Sequence, residues 1–539
     1  MSRWTWKAAS FCSSVSNATK ITKSSKATRA TKITKATKIT KITKGTTITK
    51  LLVGAACVSA VTLLSAQSPA DFTEQLTRAT ALYRDGRYSD ALKSFVQASQ
   101  SPDSSVALGA HKGAVLAALR IGEFTLARRT AAILSANDAD AEALALSGDA
   151  LWAAGFFDEA DHEYERALRV DSESARGRFG VARSLGSRSR LSEALSEVEY
   201  ALRLAPNDSD LHALAGTVQE RLKRFADAAK AYDTYAGLLP TRESAAIATA
   251  RNRATLLRSF SRRPPLEVSP EDARQAHTLP FKLVNNKIVV TGRLNGVEVE
   301  WVLDTGAERT GVSPDIASAA GIRTVTSTLT AGVGRAAVRR IRLGRADSIE
   351  VGSLLVHNVP VAIRAPAIGG AARWQGQSLS PIALGFSVSV DYGRKRVVLA
   401  RALSDQPSTG VTLPMRVQPL PLIRGTLNSV HPAYFVVDTG GEVISIGSDT
   451  ADLLGMEPAR HIPLRVIGMS GPDQDAFLLP GVDLDFQGVS LRRVGLAVLN
   501  LRAPSVLLGY QVGGIVGHNF LSRYRVSIDV PRSEVRLAP

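Results

Sequence analysis

Four patterns of hydrophobic and polar positions follow one another along the 539 residues. Residues 1–50 show no apolar face: from Lys20 to Lys44 a basic residue recurs at every third position, a period that fits neither helix nor strand. This stretch reads as low-complexity chain, unfolded in isolation. Residues 51–66, LLVGAACVSAVTLLSA, form an uncharged run shorter than a spanning helix needs. From 71 to 260 apolar positions return at helical spacing, and the prolines of SRRPPLEVSPED mark residues 261–278 as a linker. Beyond it, alternating Val, Ile and Leu broken by Gly and Asn predict strands, in a first lobe over 279–403 and a second over 404–539.

The helical region repeats itself. DGRYSDALKSF, IGEFTLARRT, AGFFDEADHEY, RSRLSEALSEV and LKRFADAAKAY share a turn, an aromatic or Leu, and then Ala. The alanines are Ala91, Ala127, Ala160, Ala194 and Ala228, at intervals of 36, 33, 34 and 34. This period resembles the tetratricopeptide repeat, two antiparallel helices per unit, and implies a solenoid whose concave face takes a protein or peptide partner. Tyr88, Phe124, Phe157 and Phe225 are expected to pack between helices, and TRESAAIATARNRATLLRSF to form a last helix over the open end.

The strand region contains one pattern twice. IVVTGRLNGVEVEWVLDTGAERTG is answered 134 residues later by PLIRGTLNSVHPAYFVVDTGGEVIS, so Asp304-Thr-Gly306 matches Asp438-Thr-Gly440. VSVDYGRKRVVLA and VSIDVPRSEVRLA end the two copies alike, 138 residues apart. A single Asp-Thr-Gly arises by chance in about one protein in ten of this size; two inside paired flanks mark an internal duplication. Two carboxylates close together share a proton, so one can act as base on a water while the other donates to a carbonyl.

These residues resemble the retropepsin-like bacterial aspartyl proteases, with tandem Asp-Thr-Gly lobes over the last half of the chain. The resemblance implies a bilobal, mostly β acid-protease domain after an α-helical solenoid, an α + β multidomain chain. It implies Asp304 and Asp438 as catalytic residues and active-site turns built from Thr305, Gly306, Ala307, Thr439, Gly440 and Gly441. It also implies hydrogen bonds between Thr305 and Thr439 across the lobe interface. Gly332, Gly334, Gly468 and Gly471 fall where the family has its flaps, and Ile515-Val-Gly517 where a strand backs the Asp turn. Lobe one departs from the pattern: six residues separate Gly385 from Asp391 against twelve from Gly517 to Asp529, which predicts a missing short helix.

Charge and composition narrow the rest. Of the net +17, residues 1–50 carry +12 from ten Lys and two Arg, leaving +5 for the remainder, so the basic excess is a tail and no nucleic-acid face is expected. The tail and the apolar run read as an export signal with cleavage near Ala66 or Ala70, or as a membrane tether through 51–66. The expected location is thus periplasmic or secreted. Cys12 and Cys57 both lie before residue 71, which removes thiol chemistry from the folded part. The histidines show no metal-ligand spacing, and no metal or organic cofactor is implied. GVGRAA at Gly332 fits a loose dinucleotide fingerprint but precedes a strand-like VRRIRL rather than a helix. The function expected is an aspartic-type endopeptidase working as a single chain on a protein or peptide substrate. The alternative is a non-catalytic peptide-binding scaffold with a degenerate protease-like half.

Overall fold

The computed structural model describes residues 69–135, 139–260, 263–334, 338–365, 376–403, 409–455, 462–468 and 471–539. The basic tail and the apolar run lie outside the described residues. No helix among the described residues is long and apolar enough to cross a membrane.

The helical half runs through α1 (Pro69–Arg84), α2 (Tyr88–Ala98), α3 (Ser104–Arg120), α4 (Phe124–Ala131), α5 (Ala141–Ala153) and α6 (Phe157–Val170). It continues through α7 (Ala175–Ser187), α8 (Leu191–Leu204), α9 (Ser209–Arg221), α10 (Phe225–Leu238) and α11 (Ser244–Arg258). Local chemistry sets these boundaries. Asp103, Asp140, Ser174 and Asp208 cap α3, α5, α7 and α9, each accepting from backbone N–H groups of the first turn; such caps contribute about 1 kcal/mol apiece. Within each helix pair the turn needs one left-handed residue, supplied at Gly86, Gly122, Gly155, Ser189 and Lys223. Those positions recur at the same intervals as the alanines. The alanines themselves are fully buried, and Tyr88, Phe124 and Phe157 are buried with them. Helices approach closely where glycine replaces a side chain: a Cβ on Gly180 would lie 2.1 Å from the ring of Tyr164.

The strand half shows the duplication in its topology. In lobe one, Val297–Leu303 runs parallel to Ser378–Leu379, which pairs antiparallel with Gly311–Val312, itself parallel to Leu354–Ile363. In lobe two, His431–Val437, Gly514–Val516, Ser445–Gly447 and Val489–Leu499 repeat that sequence of pairings. The copies join through a shared sheet in which Ser387–Asp391 pairs with Arg525–Asp529, Val388 opposite Ile528 and Val390 opposite Val526. Ser389 and Ser527 meet at its centre with their Oγ atoms 2.9 Å apart. One hydrophobic core spans both lobes, from Trp301 and Leu303 to Phe435, Phe486 and Phe520.

The two halves are fastened together. Trp152 and Phe157 of the array share a buried cluster with Leu422, Tyr434 and Tyr510 of lobe two. Phe157 therefore packs beyond its own repeat, edge-on to Tyr434 and Tyr510 at 4.7 and 5.3 Å between centroids. Beside this cluster Arg416, 4% exposed, donates to Asp158 at 2.7 Å and Asp161 at 2.6 Å, and Arg424 donates to Asp158 and Glu159. The helix expected to cap an open end, α11, packs Ala254 and Leu257 on Ala228 and Tyr232 of α10, and it also docks: Leu256 and the following Phe260 pack on Leu343 and Ala362 of lobe one. The segment read as a linker is also tied down, with Glu267 paired to His357 and the Asn358 side chain donating to the carbonyls of Arg263 and Pro264. Its last residues, from His277, already form a strand.

Candidate active site

Each Asp-Thr-Gly turn follows the end of a strand whose partner fixes the aspartate backbone. Asp304 N–H donates to Leu379 O at 2.9 Å and Asp438 N–H to Val516 O at 3.0 Å. Val516 belongs to the Ile515-Val-Gly517 segment, which thus backs the second turn as the sequence predicts.

Between the turns Thr305 and Thr439, both fully buried, make four hydrogen bonds across the lobe interface, two of them to each other. Thr305 N–H donates to Thr439 Oγ1 at 3.1 Å and Thr439 N–H to Thr305 Oγ1 at 3.0 Å. Each hydroxyl then donates across the interface, Thr305 to Val437 O at 2.6 Å and Thr439 to Leu303 O at 2.8 Å. The backbone N–H and the hydroxyl of each threonine are thus satisfied by the opposite lobe, so the two turns support each other.

This lattice brings the two carboxyls together. A Cβ on Gly306 would lie 2.4 Å from Asp438 Cγ, and one on Gly440 would lie 2.8 Å from Asp304 Cγ. Only glycine permits each carboxyl to rest against the other turn. Gly440 N–H donates to Asp438 Oδ1 at 2.8 Å. Gly441 N–H donates to Asp438 O, and Gly441 O accepts from His518 N–H at 2.9 Å. Ala307 N–H bonds to Asp304 O, and Ala307 O accepts from Ser380 Oγ at 2.7 Å. The predicted turn residues are therefore all assembled.

Burial, and then the neighbouring charge of Asp438, push the Asp304 carboxyl up to about 7, against a downward pull from Arg364 and Lys287. Burial raises Asp438 as well, opposed by the Gly440 N–H and by Lys287. The Gly440 N–H favours the charged form of Asp438, while the neighbouring carboxylate favours the protonated form of Asp304.

Three contributors escaped the sequence reading. Lys287, in the hairpin before the first turn, donates to Gly440 O at 2.6 Å and pairs with Glu442 at 3.2 Å, linking the lobes. Arg364 hydrogen-bonds Ser378 Oγ at 2.8 Å beside Gly311. Ser380, fully buried, supports the first turn where lobe two uses Gly517 and the helix His518–Leu521. Lobe one has at that place a single turn, closed by Phe386 N–H on Pro381 O, as the missing residues predict. A lysine inside Val-Asn-Asn-Lys and a serine following the buried strand Ser378–Leu379 were the available signals.

The flap glycines lie on two hairpins. Gly332 and Gly334 follow Thr324–Thr330 and precede Arg339–Val351; Gly468 and Gly471 close the pair Val466–Gly468 and Gly471–Asp473. The hairpins touch: a Cβ on Gly468 would lie 2.2 Å from the carbonyl oxygen of Val333. No group of three or more His, Cys, Asp or Glu side chains among the described residues is arranged to hold a metal ion.

Residues 290–388 and 423–520 match the aspartyl protease family model, one match per lobe. Residues 146–209 and 182–243 match the tetratricopeptide repeat. Solved structures similar to this chain include TTC0263, a thermophilic TPR protein of Thermus thermophilus, at 17% identity, 35% of this chain, 99% of that one and a TM-score of 0.30. They also include YrrB, a TPR protein with an unusual peptide-binding site, at 19% identity, 33% of this chain, 96% of that one and a TM-score of 0.22. PilF of Pseudomonas aeruginosa gives 17%, 35%, 83% and 0.27 for the same quantities. No curated protein matches the chain.

Proposed function

We propose that this chain, which carries an aspartyl protease domain in two lobes and tetratricopeptide repeats, hydrolyses peptide bonds with Asp304 and Asp438 as an intramolecular dyad. The observation that carries the reading is the reciprocal threonine lattice, which holds two carboxyls from different lobes against each other's glycine. A water between them loses a proton to Asp438 as its oxygen attacks the scissile carbonyl carbon. Asp304 gives its proton to the carbonyl oxygen, forming a neutral gem-diol. Collapse returns a hydroxyl proton to Asp304, breaks the C–N bond and moves the proton on Asp438 to the leaving amine. The closed hairpins exclude water from the site and hold the substrate chain extended. Turnover occurs in the compartment reached by an exported chain, with the 51–66 run as leader or tether.

The test is cleavage of a peptide library between pH 3 and 7 by the full chain and by Asp304→Asn and Asp438→Asn. Hydrolysis by the parent alone supports the reading. Tight binding of the same peptides with no cleavage at any pH would leave the non-catalytic scaffold instead.

A further inference from the structure

A hairpin of lobe one aims a cation at the Asp turn of lobe two. Val284-Asn285-Asn286-Lys287 joins the strands Lys282–Val284 and Lys287–Leu294, with Val284 opposite Lys287. Both asparagines take left-handed φ, 49° and 60°, the conformation a two-residue hairpin requires and Asn tolerates. Lys287 thus stands at a fixed strand end, with its side chain only 19% exposed. Its ammonium donates to Gly440 O at 2.6 Å and lies 3.2 Å from Glu442 Oε1.

Gly440 is the residue on which the two aspartates meet. Its N–H donates to Asp438 Oδ1 at 2.8 Å, and a Cβ on it would lie 2.8 Å from Asp304 Cγ. The ammonium is therefore within one residue of both carboxyls. The far side of the same turn is held by its own lobe, through His518 N–H on Gly441 O and Asn519 N–H on Glu442 O. The first turn receives no equivalent from lobe two. The 134-residue offset puts Pro421 in the place of Lys287, and Glu308, in the place of Glu442, meets its neighbour Arg309 at 3.8 Å.

Two buried carboxyls that share a proton carry one negative charge, which burial disfavours. A lysine ammonium can donate to a carbonyl and still act on such a site as a compact point charge. We propose that Lys287 is a positioning residue for hydrolysis, which fixes the second Asp turn from the opposite lobe and by its charge sets the pH window in which the dyad works. The proposal rests on the peptidase reading and adds a control to it. Burial and then Asp438 raise Asp304, and burial raises Asp438; Arg364 draws Asp304 down, and Lys287 draws both down. Glu442 faces Lys287 from the other side. The remaining titratable neighbours are Tyr392 and His518, whose rings meet at 5.4 Å. Burial raises the Tyr392 hydroxyl, while burial and then Lys287 lower the His518 imidazole. Loss of the ammonium favours the protonated form of both aspartates, so both limbs of the pH profile move up. Loss of the Glu442 charge leaves the ammonium less compensated and moves them down.

The experiment measures kcat/KM against pH for a cleaved peptide. Lys287→Met should move both limbs to higher pH by about one unit. Lys287→Arg, which keeps the charge, should leave them at the parent's pH whatever its rate. Glu442→Gln alters a side chain that is 57% exposed, so it tests the proposal even where Lys287→Met does not fold; its limbs should move to lower pH. Limbs that stay put in Lys287→Met and Glu442→Gln while rate or Tm falls would show a merely structural tie and overturn the proposal. So would shifts of the same sense in both, or a Lys287→Arg profile that follows Lys287→Met. Carbon-13 titration of the aspartate carboxyls, assigned with Asp304→Asn and Asp438→Asn, needs no hydrolysis. Titrations that move with these variants in a parent that cleaves nothing would sink the peptidase reading and leave the charge coupling; cleavage with unmoved limbs and titrations would sink this inference alone.

Discussion

At the scale of single residues the dyad makes the sharpest predictions. Asp304→Asn and Asp438→Asn should each abolish hydrolysis, and the double variant should be scarcely worse, because the first loss removes a mechanism that works as one unit. The parent's pH profile should fall on its alkaline side near the Asp304 value of about 7. The same shift bears on stability. A carboxyl raised in the folded state contributes stability that is complete below its unfolded value of 3.8 and is lost as pH rises towards about 7. Asp304→Asn should therefore melt above the parent at pH 8 and flatten the loss of Tm between pH 4 and 8; a variant that melts lower at pH 8 would contradict the protonated assignment. Thr439→Val replaces a hydroxyl that accepts from Thr305 N–H and donates to Leu303 O. Stranding both buried partners should cost about 2–4 kcal/mol in urea denaturation.

Among elements, the flap hairpins offer a test that leaves the dyad untouched. Gly468→Val places a side chain where Val333 backbone already stands, so the hairpins must part. KM for peptides should rise several-fold with kcat within about threefold, because binding rather than chemistry is disturbed; an unchanged KM would mean the contact does not govern entry. Elements were also where the sequence was most legible. The repeat period gave the helix pairs because the same turn geometry and the same buried alanine are demanded in every unit. The paired Asp-Thr-Gly flanks placed the dyad because a duplicated strand leaves matching residues at matching register. What stayed hidden depends on residues distant in sequence. Phe157 looks like any other repeat aromatic, and nothing near it announces Tyr434 and Tyr510. Lys287 has no counterpart in lobe two, so the duplication that located the aspartates could not locate it.

For the whole molecule, the buried ion cluster makes the array part of the protease rather than a separable attachment. Arg416→Met leaves Asp158 and Asp161 without their main buried partner and should destabilise the chain by about 3–5 kcal/mol, measured by denaturant unfolding. In LPMRV that arginine alternates with the core residues Leu413, Met415 and Val417, so the sequence puts it on the outer face of its strand, and only the fold shows that the array covers it. The cluster and the dyad respond to acid in opposite senses. Burial raises Asp158, but Arg416, Tyr434 and Arg424 hold it below its ordinary value, so its contribution is present above 3.8 and is lost as pH falls below that. Acid unfolding of the parent should accordingly begin with loss of contact between array and lobe two. Tryptophan emission, with Trp152 buried at that junction, should change before the dyad region loses protection in hydrogen exchange. The reverse order would place the weak point elsewhere.

The second Asp turn hangs on Val516 and Gly517, far downstream of the array and of lobe one. During synthesis the helices and the first lobe emerge while that support is still inside the ribosome. A nascent chain thus passes through most of its length with one aspartate exposed and no competent pair. For the proposed peptidase, the order of the sequence would act as a safety catch, sparing the growing polypeptide and its neighbours from premature cutting until the second lobe has closed.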